Sequence, residues 1–339
     1  MNAPAENLGE GGGRAEVQAN HTMQRALSAI GAAPLPPVTV AAPDLELSNH
    51  NIYFGDCREI MRRWPEKIVQ MCVTSPPYFG LRDYGHEGQI GIEETPEEYV
   101  TALVEVFREV RRVMRDDGTL WLNVGDSYAA QRGGSHMPAQ TVAGGVGGKG
   151  GKRAFRGMGG IGRVAAHRNA RAIGLKHKDL IGIPWRLAFA LQADGWYLRQ
   201  DIIWHKPNPM PESMTDRCTK AHEYLFLLAK SERYYFDAAA IKEKAVGDAE
   251  YRNRRSVWSV PTKPYKGAHF ATFPPMLIEP CILAGSRVGD IVLDPFMGSG
   301  TTATVARQHL RGWLGCELNA DYGLLQQARL GLTPLVVAS

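Results

Sequence analysis

Residues Asp290 to Ala306 read "DIVLDPFMGSGTTATVA". An apolar strand ends at Asp294, a tight turn follows with Gly298 and Gly300, and Thr301 or Thr302 caps the helix that opens behind it. Strand, glycine turn and helix in that order make part of a βαβ unit, which requires a parallel sheet covered on both faces. Glu317 closes the next strand, "WLGCEL", about twenty residues further on, where a nucleotide-binding sheet places an acid to accept hydrogen bonds from both ribose hydroxyls.

Such a turn lets a ligand approach the backbone, but its pattern is not one that cradles phosphate. There is no GxxxxGK[ST], and "DPFMGSG" sets an acid and a phenylalanine ahead of the glycines in place of GxGxxG. An acid at the strand tip suits a ligand with a positive ammonium, such as the methionine half of S-adenosylmethionine. The alternative for Asp294 is a cap of the helix or turn.

Upstream of this motif the same alternation recurs. From Asn51, "NIYFGD" reads as strand, "CREIMRRW" as helix, "IVQMCVT" as strand, "PEEYVTALVEVFREVRRVM" as a long amphipathic helix closed by "DDG", and "TLWLNV" as strand. The rhythm stops between Gly125 and Lys178, then resumes with "DLIGIPWRLAFALQADG" as helix and "WYLRQDIIWH" and "HEYLFLLAKS" as strands. "FPPMLIEPCILAG" is the helix that leads into the motif. The chain therefore divides into a flexible tail (1–46), a first half of the sheet (47–125), a basic glycine-rich insertion (126–178), the remainder of that half (179–237), a polar basic segment (238–262) and a second half (263–330).

Bulk properties narrow the class. At 339 residues with 44% hydrophobic composition the chain can build a large core, and a net charge of +4 is too mild to identify a partner by itself. Five scattered cysteines without a CxxC pair argue against a disulfide framework or a zinc site and read as buried thiols in a reducing cytoplasm. No metal is expected. No apolar run is long enough to span a membrane, since "LIGIPWRLAFALQADGWYL" is broken by Pro184, Arg186, Gln192 and Asp194, and the expected location is cytoplasmic.

The apolar strand "IVQMCV" exits into Thr74-Ser75-Pro76-Pro77-Tyr78, two residues without an amide donor followed by an aromatic ring. Methyl transfer to an exocyclic amine of a base is hard because the nitrogen lone pair is delocalised into the ring. Acceptors around the two N–H groups favour a pyramidal nitrogen. The Ser75 hydroxyl and Pro76 carbonyl supply two acceptors, Pro77 keeps the turn stiff, and Tyr78 offers a face for a base swung out of the duplex.

With "TSPPY", "DPFMGSGTT" and Glu317 together, the chain from about Asn51 to Tyr322 resembles the amino-group DNA methyltransferases in their permuted arrangement, where the catalytic turn precedes the cofactor turn. The resemblance implies an S-adenosylmethionine-dependent, Rossmann-like, circularly permuted α/β fold, doubly wound around a mostly parallel seven-stranded sheet. "DIVLDPF" would be central, flanked by "IVQMCV" and "TLWLNV" on one side and by "GWLGCELN" and "NIYFGD" on the other. Ser75, Pro76, Pro77 and Tyr78 would be catalytic. The cofactor would be held by Asp56, Thr74, Phe273, Asp294, Pro295, Phe296, Gly298, Ser299, Gly300, Thr301 and Glu317, with Asp56 against the adenine. "SPPY" resembles the form usual for cytosine N4, whereas most adenine N6 enzymes have Asp or Asn where Ser75 stands. The implied reaction is transfer to N4 of a flipped cytosine in duplex DNA, with adenine N6 as the alternative, by a bacterial or phage-encoded monomer or homodimer paired with a cognate restriction endonuclease.

Outside the two motifs, Ser127 to Lys178 carries ten Lys and Arg with no Asp or Glu, including Arg153 and Arg156, as a track for phosphates. His205, Lys206 and Asn208 sit beyond a strand end and are expected to touch the displaced base or nearby phosphate, the alternative being loop residues that make turn hydrogen bonds. "DAEYRNRRSVW" is an equal candidate for base recognition. Pro280-Cys281 resembles the nucleophile pair of C5-cytosine enzymes, but it lies in an apolar helical pattern and reads as core. Two rival readings are a methyltransferase acting on RNA or a protein amide, whose enzymes generally keep the cofactor turn first in sequence and lack this basic insertion, and a DNA-binding module that has lost activity, against which the intact "TSPPY" and "DPFMGSG" argue.

Overall fold

The computed structural model describes residues 50–86, 88–130, 170, 173–245, 249–262 and 273–330. The tail (1–46), Arg153, Arg156 and most of the basic insertion lie outside them. Ten strands are present among the described residues: β1 (Asn51–Phe54), β2 (Val69–Thr74), β3 (Met114–Val124), β4 (Tyr197–His205), β5 (His222–Ala229), β6 (Glu243–Lys244), β7 (Tyr251–Arg252), β8 (Val257–Ser259), β9 (Ile291–Asp294) and β10 (Gly312–Glu317). Eight of them form one sheet in the order β1-β10-β9-β2-β3-β5-β4-β8, and β6 and β7 pair separately. Within the eight-stranded sheet only β5 runs against its neighbours, and the β6–β7 pair is antiparallel.

The five strands whose places were expected stand in that order, β1-β10-β9-β2-β3, with β9 between β10 and β2, and β5 and β4 follow. The eighth is a correction to the expected seven. Val257–Ser259, inside the polar basic segment, joins β4 in parallel through Trp204↔Trp258. A second correction concerns "DDG". Strand β3 starts at Met114, and Asp116 to Gly118 bulge within it, because Val69 pairs Met114 while Met71 pairs Thr119.

Helices α1 (Cys57–Arg62), α2 (Pro96–Val113) and α3 (Ile183–Ala193) cover one face, and α4 (Pro275–Gly285), α5 (Thr301–Gln308) and α6 (Gly323–Leu330) cover the other. The strands supply both cores by alternation. Leu120, Leu122 and Val124 of β3 point to the first face, and Trp121 to the second. Connections that step from β1 through β2 and β3 to β4 use the first face, and those that return through β9 to β10 use the second, as right-handed crossovers require. Helix α2 begins where its sequence says it should: Thr95 and Glu98 exchange side-chain to backbone hydrogen bonds, with Pro96 at the first turn.

The insertion leaves and returns through a closed neck. Ile181 N donates to Ser127 O, Ala129 N to Asp179 O and Lys178 N to Ala129 O, at 2.8 to 3.0 Å. Asp126 Oδ1 accepts from the amides of Gly182 and Ile183 at 3.0 and 3.1 Å, so a residue two positions after β3 caps α3 across the insertion. That cap displaces the helix start from the expected Asp179 to Ile183.

Four of the five cysteines are buried as expected; Cys218 is exposed. Cys281 has no exposure, lies within α4, and burial pushes its thiol far above the ordinary range, which suits core packing and not nucleophilic attack. No helix of the described residues is long and apolar enough to cross a membrane. Replacing the Asp126 cap by alanine is expected to lower stability by about 1–2 kcal/mol in urea titration, with the slope of the transition unchanged.

Candidate active site

All strands except β5 end at the same edge of the sheet, and at that edge the two motifs touch. Thr74, the last residue of β2, donates its hydroxyl to Asp294 Oδ1 at 2.6 Å. Thr302 donates to Asp294 Oδ2 at 2.6 Å, and the Phe296 amide to Oδ1 at 3.0 Å. Asp294 is 1% exposed, and burial lifts its carboxyl to about 6 against the pull of these three donors. The acid is thus engaged by the protein itself. It shapes the turn and welds β9 to β2, the capping alternative, and has little surface left for an ammonium group.

The turn it shapes runs through Pro295 and the half-buried Phe296 to Gly298 and Gly300, with φ of +53° and +80°. Gly300 is the left-handed residue that starts α5, a conformation in which any Cβ would be strained. Glu317, 9% exposed at the end of β10, accepts from the Gly298 amide at 2.7 Å and the Asn319 amide at 2.9 Å. Burial pushes this carboxyl up to about 7. From the outer side, α6 holds the same turn: Gln326 donates to Gly298 O at 2.6 Å, and Arg329 donates to the carbonyl of Ser299 at 3.1 Å and to the Thr301 hydroxyl at 3.1 Å.

Neighbouring strand tips complete this half. Gly55 N donates to Glu317 O at 2.8 Å, which brings Asp56 to the same edge. Asp56 also caps α1, and although burial opposes its charge, Arg58 at 2.7 Å holds the carboxyl below its ordinary value. Phe273 precedes α4 and packs, partly buried, on the second core.

The catalytic turn is held as firmly. Pro76 is buried, and Ser75 and Tyr78 are half-buried. The Tyr99 hydroxyl donates to Pro77 O at 2.7 Å. Tyr78 donates its hydroxyl to Glu223 Oε2 at 2.7 Å, and its ring lies against Gly125, where a Cβ would fall 2.4 Å from Cε2. Burial first, and the Glu223 charge second, keep the Tyr78 phenol neutral well above its usual range.

A family model for DNA methylases matches residues 69–326, both motifs and the segments between them. The chain belongs to the N6/N4 DNA methylase family. The type II methyltransferase M.Cfr9I of Citrobacter freundii is 51% identical over 82% of this chain and 86% of its own length. M.SmaI of Serratia marcescens is 49% identical over 84% of this chain and 91% of its own length. Among solved structures, a DNA modification methylase from Thermus thermophilus, complexed with S-adenosyl-L-methionine, superposes with a TM-score of 0.55 at 26% identity, covering 83% of this chain and 93% of its own. The PvuII DNA methyltransferase shares the fold, with a TM-score of 0.58 at 19% identity over 86% and 89% of the two chains. The chain is a type II DNA methyltransferase of the N4/N6 class.

In this methylase the residues expected to meet DNA beyond β4 are largely occupied by the protein. Lys206 pairs with Glu223 and lies 4.4 Å over the Trp204 ring. His205 Nδ1 contacts Ser259 Oγ at 2.9 Å. Asn208 donates to Thr262 O and accepts from Thr262 N, so its amide stitches the loop after β4 to the segment after β8. Sequence reasoning missed Glu223, Asn123, Gly125, Tyr99, Gln326 and Arg329. Asn123 had a visible signal, a polar residue inside the apolar run "TLWLNV"; the helix-borne Gln326 and Arg329 had none.

Thr74→Val keeps the shape of the side chain but removes a donor from a buried carboxylate; the expected cost is about 1–3 kcal/mol in chemical denaturation. Glu317 makes a pH prediction. Its folded-state value of about 7 stands above the ordinary 4.5, so the folded chain binds this proton more tightly than the unfolded one. Its contribution is full below the lower value and fades as pH rises toward the upper, by on the order of 3 kcal/mol. Glu317→Gln should flatten the fall in stability measured between about pH 5 and about pH 7.

Proposed function

We propose that this methylase transfers the methyl group of S-adenosylmethionine to the exocyclic N4 amine of a cytosine flipped out of duplex DNA. The observation that carries this reading is the Thr74–Asp294 hydrogen bond, which sets the serine-proline corner beside the glycine turn. The donor set at the turn fits such a cofactor: the strand tips offer the acids Asp56 and Glu317, suited to amine and hydroxyl donors, around a backbone opened by two left-handed glycines. When bound, the cofactor supplies an electrophilic methyl carbon on a sulfonium.

Glu317 would accept from the ribose hydroxyls, and Asp56 and Phe273 would flank the adenine. Thr74, Pro295, Phe296, Gly298, Ser299, Gly300 and Thr301 form the wall of that site, with Asp294 behind it as its anchor. Opposite them, Ser75 Oγ and the Pro76 carbonyl hold the two N–H groups of the acceptor amine, and Tyr78 provides the surface on which the base lies. The surplus proton of the methylated amine leaves to water, so no strong base is demanded. Serine at position 75 supports cytosine over adenine as the acceptor.

The insertion with its run of Lys and Arg, including Arg153 and Arg156, and the segment 238–262 supply the charge for the DNA backbone. In this reading, which the type II relatives support, the chain protects DNA from a companion endonuclease of the same site specificity.

Duplex DNA methylated with labelled cofactor and digested to nucleosides is expected to yield N4-methylcytosine by mass; N6-methyladenine would overturn the choice of base, and label only in RNA or protein would overturn the choice of substrate. Tyr78→Ala is expected to lower kcat roughly 10- to 100-fold while calorimetry shows cofactor affinity held within about threefold.

A further inference from the structure

Glu223 sits near the start of β5, paired with Trp204 of β4 and adjacent to the residue that pairs Val124 of β3. Three segments aim donors at its carboxylate. Oε2 accepts the Tyr78 hydroxyl at 2.7 Å and the Asn123 amide at 3.3 Å, while Oε1 accepts the Lys206 ammonium. Asn123 is 2% exposed and also donates to Tyr224 O at 3.1 Å, so its amide faces Glu223 from a fixed position. Neither Glu223 nor its partners on β3 belong to the serine-proline turn, yet they decide how its ring is presented.

A tyrosine ring joined to the chain only at Cβ can swing about two torsions. Here the tip is tethered to Glu223, and one face is packed against Gly125, which has no side chain to push it away. The tether must be a carboxylate. All three groups that reach it are donors, and only an ionised acid accepts on both oxygens; an amide of the same shape would have to turn its own N–H groups toward Lys206 or toward Tyr78 and Asn123. Lys206 neutralises the charge, so the ring is oriented without leaving a free anion beside DNA.

We propose that Glu223 is a positioning residue for methyl transfer: its carboxylate, balanced by Lys206, sets the orientation of the Tyr78 ring beneath the acceptor base. The inference rests on the stacking role given to Tyr78 above and holds for either base. A displacement of about 1 Å at the reacting atoms costs on the order of 100-fold in rate, so the effect belongs to kcat and not to cofactor affinity.

The test compares Glu223→Gln, Lys206→Met, the two combined, Tyr78→Phe, and Tyr78→Phe with Glu223→Gln, at saturating DNA and cofactor. Glu223→Gln should lower kcat about tenfold or more with melting temperature and cofactor Kd near wild type. Adding Lys206→Met should restore about fivefold or more of that loss, because the amide is then free to turn its oxygen toward Tyr78 and Asn123. Tyr78→Phe keeps the ring and loses the tether, and Glu223→Gln should add little to it. A kcat for Glu223→Gln within about twofold of wild type, no recovery with Lys206→Met, or losses that multiply with Tyr78→Phe would each overturn the proposal. Wild-type kcat in Tyr78→Ala would instead remove the stacking role itself, and this inference with it.

Discussion

A hydrogen bond between residues separated by 220 positions holds the molecule's two working halves together: Thr74 Oγ1 to Asp294 Oδ1, buried, at 2.6 Å. It joins the carboxyl ends of adjacent parallel strands. A carboxylate with almost no contact with solvent is costly unless donors surround it, and here Thr74, Thr302 and the Phe296 amide do so from three chain segments. The catalytic turn must therefore leave the sheet at the point where the glycine turn leaves it. This is the crevice of an open α/β sheet where the strand connections diverge, and both ligands of a transfer reaction have to meet there.

Other acids follow the same pattern on the two sides of that bond. Glu317 takes the amides of Gly298 and Asn319, and Glu223 takes the Tyr78 phenol, the Asn123 amide and the Lys206 ammonium. Each acid fixes a loop by accepting from it. Burial raises the carboxyls of Asp294 and Glu317, which makes the donors around them a condition of folding as well as of site geometry. The loop after β4 obeys a related constraint. Its polar side chains are tied to the end of the polar basic segment, through Asn208 with Thr262 and His205 with Ser259, so residues that look free for DNA in the sequence are held by the protein itself.

Much of this was legible from local spacing. The strand and helix alternation, the glycine turn and the buried Cys281 came through, because side-chain alternation, helix periodicity and turn chemistry are properties of neighbouring residues, while the placing of β9 between β2 and β10 followed from the family resemblance. The departures are equally physical. Strand β8 is only Val257–Ser259, too short for an alternating pattern, and it exists because β4 offers it an edge. The bulge at Asp116 to Gly118 looks like a helix stop until the pairing with β2 shows the strand continuing through it.

By itself the sequence determined which residues are chemically able to act: the serine-proline corner, the tyrosine after it, the glycine turn and the acids at the strand tips. Only the tertiary structure decided what each acid does. Asp294, which the sequence left as either a ligand for a cationic cofactor or a cap, ties two strands together; Glu223, which reads in the sequence as part of a strand, also holds the ring of Tyr78. The reason is that a carboxylate's role is set by the donors that reach it, and those donors lie on segments far away in the chain whose distance from it no spacing rule records.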